Sequence, residues 1–252
     1  MQLWSSGYDK FNVAGATRFG VPVANNGGAN ATAVAEHTIL LMLAVSKLLP
    51  DSHSRTVHGR WAGNRHGMDM TLLHQKTLGL IGFGRIGSAV ATRAKAFGMR
   101  ILYVDPRAAE PDLECQLQAE RRDLAALLTE SDVVSLHLHL REPTRNLIGH
   151  RELALMKPSA ILINTSRAEL VDQEALLRAL EDECVWGAGL DVHHQEPTQP
   201  RDPLLCHPHV VATPHMAGST RETYIHAIAN AIENFRRVRS GVPPRWIVNS
   251  VH

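Results

Sequence analysis

The stretch Thr77-Leu-Gly-Leu-Ile-Gly82-Phe-Gly84-Arg-Ile-Gly87 runs a short apolar segment directly into glycines spaced Gly-x-Gly-x-x-Gly. The apolar part reads as a buried strand, and the glycines as the turn from that strand into a helix. Each glycine has its own task. Gly82 turns the chain sharply, Gly84 lets backbone approach a pyrophosphate, and Gly87 lets the helix pack close to the strand. A helix starting near Arg85 then offers unpaired N–H groups and its positive dipole end to that anion. Such a spacing also arises by chance, so the residues after it decide its meaning. Ala89, Val90, Ala94 and Phe97 recur at helical intervals, Gly98 can end the helix, and Arg100-Ile-Leu-Tyr-Val104 is a second apolar strand finishing on Asp105. A carboxylate at that point accepts hydrogen bonds from the adenosine ribose hydroxyls and repels a 2′-phosphate, which favours NAD over NADP. Arg107, two residues on, works against that preference because it could hold such a phosphate.

Strand and helix patterns keep alternating downstream. Residues 123–128 read as a helix, 132–140 as a strand, 151–156 as a short helix stopped by Pro158, and 160–163 as a strand. Asp172 caps a helix reaching about residue 182, and strands at 185–192 and 209–213 follow. The pattern predicts an α/β fold, a Rossmann-type doubly wound parallel sheet, whose ligands gather at the carboxyl ends of the strands. Upstream, residues 11–19 read as a short helix. A long helix from residue 30 or 32 to 49 carries Val34, His37, Ile39, Leu41, Met42 and Val45 around much of its circumference, which places it between layers or at a subunit contact. Residues 51–76 read as an irregular arm with one short helix, and 219–240 as a long amphipathic helix.

Composition narrows the classes. The chain has 252 residues, 44% of them hydrophobic and 20% charged, enough for one large or two modest domains. A net charge of +1 leaves no basic excess for nucleic acid or a membrane surface. Cys115, Cys184 and Cys206 stand apart with no paired spacing, which fits a reduced, cytoplasmic protein. The most apolar run, residues 38–49, is too short to span a bilayer.

Three polar groups fall at successive strand ends. They are Arg167 after Asn164-Thr-Ser, Glu196 after Gly189-Leu-Asp191, and His215 in Thr213-Pro-His. An arginine can hold a carboxylate and polarise the carbonyl beside it. A histidine oriented by a carboxylate can exchange a proton with an alcohol or ketone oxygen. Other histidines, His137 with His139 on one strand face, His193-His194, and His207 with His209, could suggest a metal, but no third ligand is placed and no metal is expected.

Taken together, Val34-Ala-Glu-His37, Gly82-x-Gly84-Arg-Ile-Gly87, Asn164-Thr-Ser-Arg167 with Val171-Asp172, Gly189-Leu-Asp-Val192 with Glu196-Pro197, and Thr213-Pro-His-x-Ala217 resemble the D-isomer-specific 2-hydroxyacid dehydrogenases. The resemblance implies an NAD-dependent oxidoreductase that reduces a small 2-keto acid such as glyoxylate or hydroxypyruvate, with Arg167, Glu196 and His215 catalytic. It places Arg85 and Ile86 against the pyrophosphate, Asp105 on the ribose, Thr144, Thr165 and Ser166 along the cofactor, and Asp191 near the nicotinamide amide. The backbone at Ser6 and Gly7 would cradle the substrate carboxylate. A homodimer is implied, with the helix from Thr32 and the arm at 51–76 as its contact. The implied domains are 1–28, a remnant of a flavodoxin-like substrate domain, 29–217, the NAD-binding domain, and 218–252, a helix returning to the first. The front half of the substrate domain has no counterpart in this chain, so a non-catalytic NAD(H)-binding module or inactive paralogue is the alternative reading.

Overall fold

The computed structural model describes residues 1–61, 63 and 67–250. Its backbone forms α1 (Val13–Arg18), α2 (Ala31–Ser46), α3 (Leu49–Val57), β1 (Thr77–Ile81), α4 (Arg85–Ala96), β2 (Arg100–Val104), α5 (Pro111–Leu117), β3 (Ala119–Arg121) and α6 (Leu124–Glu130). It continues with β4 (Val133–Leu136), α7 (His150–Leu153), β5 (Ile161–Asn164), α8 (Gln173–Glu181), β6 (Gly187–Leu190), β7 (Val210–Ala212) and α9 (Arg221–Arg239). Two compact units result, Met1–Ala33 with Gly218–His252, and Val34–Ala217.

All strand pairs in the larger unit are parallel, in the order β3-β2-β1-β4-β5-β6-β7. This is the doubly wound Rossmann-type sheet that the sequence predicts. The order reverses between β1 and β4, where connections leaving the two strands diverge and open a crevice above their carboxyl ends. The strands are nearly continuous apolar runs because helices cover both sheet faces. On one face Leu127 and Leu128 of α6, Leu153 of α7 and Leu176 and Leu180 of α8 pack on Leu102, Val134 and Leu162. On the other, Leu41, Met42 and Val45 of α2 and Val90, Ala91 and Ala94 of α4 pack on Leu78, Leu80, Ile101 and Ile163. Each large side chain so buried contributes about 1.5–3 kcal/mol.

Several boundaries differ from the expectations, each for a local reason. The long helix ends at Ser46 because Leu48 takes a left-handed φ of 49°, and Pro50 opens α3 instead of closing α2. The two helices meet at a bend of 65°. Of the arm at 51–76, residues 62 and 64–66 lie outside the described residues. Strand β4 stops at Leu136, so His137 and His139 do not share a strand face. The edge strand β3 and helix α5 are absent from the sequence reading, since Ala-Glu-Arg carries no hydrophobic alternation. Strand β3 pairs with β2 and buries Ala119, and ion pairs add to that hold. Arg100 on β2 binds both Glu120 and Glu130, and Arg122 binds the same two carboxylates. The guanidinium groups of Arg100 and Arg122 push the Glu120 carboxyl down to about 2.

In the smaller unit, Gln2 bridges Ala24 and Ala24 bridges Ile247. Helix α9 ties back through Asn234, whose amide donates to Gln2 Oε1 at 2.6 Å and whose Oδ1 accepts from Arg245 N at 2.7 Å. Ile225, Ile228, Ile232 and Phe235 on α9 are exposed.

Candidate active site

The glycine turn has the shape a dinucleotide needs. Gly82 sits at φ +96°, and a Cβ there would lie 2.4 Å from His137 O, so the ends of β1 and β4 touch through backbone. A Cβ on Gly87 would lie 2.2 Å from Gly82 O, which brings α4 hard against the turn. Around Gly84, by contrast, a Cβ would meet nothing within 4 Å. That open space lies at the start of α4, whose first turn has no side-chain cap, so its N–H groups are available to an anion. Arg85 is exposed there, and Ile86 packs against the core beneath. Asp105 stands at the end of β2 with Oδ2 accepting from Phe83 N and Oδ1 from Arg107 N, both at 3.0 Å. Each oxygen retains a lone pair for a ribose hydroxyl. These residues fit an adenine dinucleotide.

Other expected cofactor residues spend their side chains on the scaffold. Thr144 Oγ1 accepts from Arg141 N at 2.8 Å and caps a one-turn helix at 142–144. Thr165 is buried and its hydroxyl lies 3.2 Å from that of Thr38, while Ser166 Oγ donates to Leu136 O at 2.7 Å. His137 is half-buried overall, yet its Nδ1 is closed off from solvent, and burial pushes the ring's pKa down, to about 3.

Asp191, 1% exposed at the end of β6, organises the strand-end loops. Its Oδ1 accepts from Thr213 Oγ1 at 2.6 Å and Met216 N at 2.9 Å, and its Oδ2 from Ala217 N at 2.8 Å. The Thr213 proton goes to the carboxylate, so Thr213 Oγ1 must accept from His37 Nε2, 2.9 Å away, and His37 carries its proton on that nitrogen. Residues 213, 216 and 217 are thus gripped around His215, which takes a left-handed φ of 53°. Its Nδ1 donates to Glu196 Oε1 at 2.8 Å, and the same oxygen accepts from His193 N at 3.2 Å. His193 Nε2 donates in turn to Thr213 O at 2.9 Å. With Nδ1 bonded to a carboxylate, proton exchange at His215 falls to Nε2.

Arg167 follows β5, the neighbour of β6 in the sheet. Its carbonyl accepts from Asn164 Nδ2 at 2.8 Å, and its Nη1 donates to Ser166 O at 2.6 Å. Glu196 and His215 are therefore in direct contact, and Arg167 stands on the adjacent strand end. Ser6 and Gly7 belong to the smaller unit, where Ser6 O accepts from Asn25 Nδ2 at 3.1 Å and Ser6 Oγ lies 2.6 Å from Oδ1 of Asn26 and of Asn30. His37 and Thr213 belong to the sequence motifs with no role of their own assigned, and His193 is considered there only for a metal.

Residues 39–217 match the family model "D-isomer specific 2-hydroxyacid dehydrogenase, NAD binding domain". The chain belongs to the D-isomer-specific 2-hydroxyacid dehydrogenases. As a member of that family it is an NAD-dependent oxidoreductase of 2-hydroxy acids. Among similar dehydrogenases, the glyoxylate reductase of Aeropyrum pernix is 42% identical over 248 residues, spanning 96% of this chain and 74% of the relative. Glyoxylate/hydroxypyruvate reductase B of Pectobacterium carotovorum subsp. carotovorum is 41% identical over 250 residues, 97% of this chain and 77% of the relative. The NAD-complexed D-isomer specific 2-hydroxyacid dehydrogenase of Lactobacillus delbrueckii ssp. bulgaricus superposes with a TM-score of 0.85 at 32% identity, over 98% of this chain and 78% of that one.

Proposed function

We propose that this dehydrogenase reduces glyoxylate or hydroxypyruvate to the corresponding 2-hydroxy acid, of D configuration in the second case, with Arg167, Glu196 and His215 as its catalytic residues. The observation that carries the reading is the 2.8 Å bond from His215 Nδ1 to Glu196 Oε1, set in a loop that Asp191 grips from both sides. Bound NADH supplies the reducing equivalent. Arg167 holds the substrate carboxylate with its planar fork of donors and draws electron density from the adjacent carbonyl. His215 Nε2 then gives its proton to the oxygen as charge builds there, and Glu196 stabilises the ring while it is protonated. The same residues run the reverse reaction with His215 as base. The relatives named as glyoxylate reductases support this substrate class at about two-fifths identity, in agreement with the 42% found for one of them.

The test is NADH oxidation followed by absorbance with glyoxylate, hydroxypyruvate and pyruvate in turn, comparing the wild type with Arg167→Lys. Lysine keeps the charge but loses the bidentate fork, so kcat/KM should fall by about 100-fold, mainly through KM. Equal turnover of all three acids by both proteins would remove Arg167 from substrate binding.

The exposed apolar residues Leu40 on α2, Leu49 and Val57 on α3, and Trp61, Met68 and Leu72 beyond support a homodimer built on this region. Sedimentation velocity should give twice the mass of one chain, and Leu40→Glu should shift it toward the single chain. A wild type that sediments as one chain at micromolar concentration refutes the dimer. The separate exposed thiols of Cys115, Cys184 and Cys206 support a cytoplasmic location.

A further inference from the structure

We propose that Arg121 and Tyr103 are positioning residues that set the preference for NADH over NADPH, by pinning the two ends of the loop at 105–109 that carries Asp105 and Arg107. The inference rests on the cofactor assignment and adds residues that do not themselves reach the dinucleotide's expected contacts. Arg121 ends the edge strand β3, and its Nη2 donates to Asp105 O at 2.8 Å and to Pro106 O at 3.1 Å. One guanidinium thus fixes consecutive carbonyls at the start of the loop. At the far end, the Tyr103 hydroxyl accepts from Ala109 N at 3.0 Å and donates to the Glu114 carboxylate on α5. Tyr103 is fully buried and stacks on Phe83 of the glycine turn, ring centroids 4.3 Å apart and 22° from parallel. Burial and the Glu114 bond push the phenol up from its ordinary pKa, so it keeps the proton that the bond requires.

These anchors control two opposed charges. With the carbonyls of residues 105 and 106 fixed, Arg107 N stays aligned with Asp105 Oδ1, and Phe83 N with Oδ2. The carboxylate is locked beside the glycine turn, where it accepts ribose hydroxyls and repels a 2′-phosphate. Arg107, two residues along, is held in a backbone conformation dictated by that same carboxylate. If either anchor is cut, the loop loosens, the carboxylate leaves its two backbone donors, and Arg107 gains the freedom to meet a phosphate. Affinity for NADH should fall while affinity for NADPH holds or rises. A merely structural role would weaken both alike.

The test is fluorescence titration of the full chain with NADH and with NADPH, comparing wild type, Arg121→Gln, Tyr103→Phe, Asp105→Ala and the double variant Asp105→Ala/Arg121→Gln, with thermal melting to show that each is folded. Arg121→Gln and Tyr103→Phe should each reduce the ratio of the NADPH Kd to the NADH Kd by about tenfold, the worth of one charge-assisted hydrogen bond. The double variant should shift the ratio no further than Asp105→Ala, because Arg121 acts through Asp105. Equal losses for both nucleotides in Arg121→Gln and Tyr103→Phe, or additive shifts in the double variant, would overturn the proposal. A folded wild type that binds neither nucleotide would instead sink the cofactor assignment, and this proposal with it.

Discussion

His215→Ala should lower kcat for glyoxylate reduction by about 10²–10⁴-fold, the range expected when a positioned acid–base group is lost. NADH affinity, read by fluorescence, should change by less than about threefold, because the imidazole acts on the substrate oxygen and not on the glycine turn. The separation of these effects is the informative part. A fall in kcat with cofactor binding intact assigns His215 to proton transfer. A variant that keeps more than about a tenth of wild-type kcat would remove it from the chemistry. The imidazole side chain is 43% exposed and bonds to the part-exposed Glu196, so its removal leaves no buried group orphaned and the fold should survive.

Asp191→Asn should damage stability and turnover together. The amide is the same size as the carboxylate, so no cavity forms, but it replaces one acceptor oxygen by an NH2 donor. Whichever way it turns, that NH2 faces either Ala217 N–H or the Thr213 hydroxyl and Met216 N–H, all within 2.9 Å of the present oxygens. Leaving buried donors unpaired costs about 1–3 kcal/mol each, so a loss of about 2–4 kcal/mol is expected. For a chain of this length that lowers Tm by roughly 5–15 °C. His215 sits between the residues that are released, so kcat should fall by about 100-fold even well below the melting temperature. Calorimetry and steady-state kinetics on one preparation check both numbers. An unchanged kcat would mean that the Asp191 bonds do not position His215.

What could be read from the sequence divides along a physical line. The sheet was legible because its strands are buried on both faces, and the glycine turn because close backbone approach tolerates no side chain at Gly87. Caps such as Asp123 and Asp172 announce helix starts chemically, and both hold the expected N–H groups. Strand β3 was illegible because its three residues carry one apolar side chain and no alternation; pairing with β2 and the burial of Ala119 hold it, and ion pairs of Glu120 add to this. The break at Leu48 was equally hidden, since a left-handed leucine has no sequence signature and Pro50 serves as well to open a helix as to close one. At the site, Arg167, Glu196 and His215 could be named from strand-end position. That Asp191 joins His37 and Thr213 in one web could not be read, because these residues are 22 and 176 positions apart and meet only once β6, β7 and α2 are packed.

The left-handed backbone at His215 has a consequence for any effort to harden this protein against heat. A side chain with a Cβ is strained at φ 53°, at a cost of order 1 kcal/mol, and glycine at that position would shed the strain. A library screened only for survival on heating would therefore tend to discard the imidazole and return robust, inert molecules. Any such screen needs turnover scored alongside endurance, because at this position the two demands pull on one residue in opposite directions.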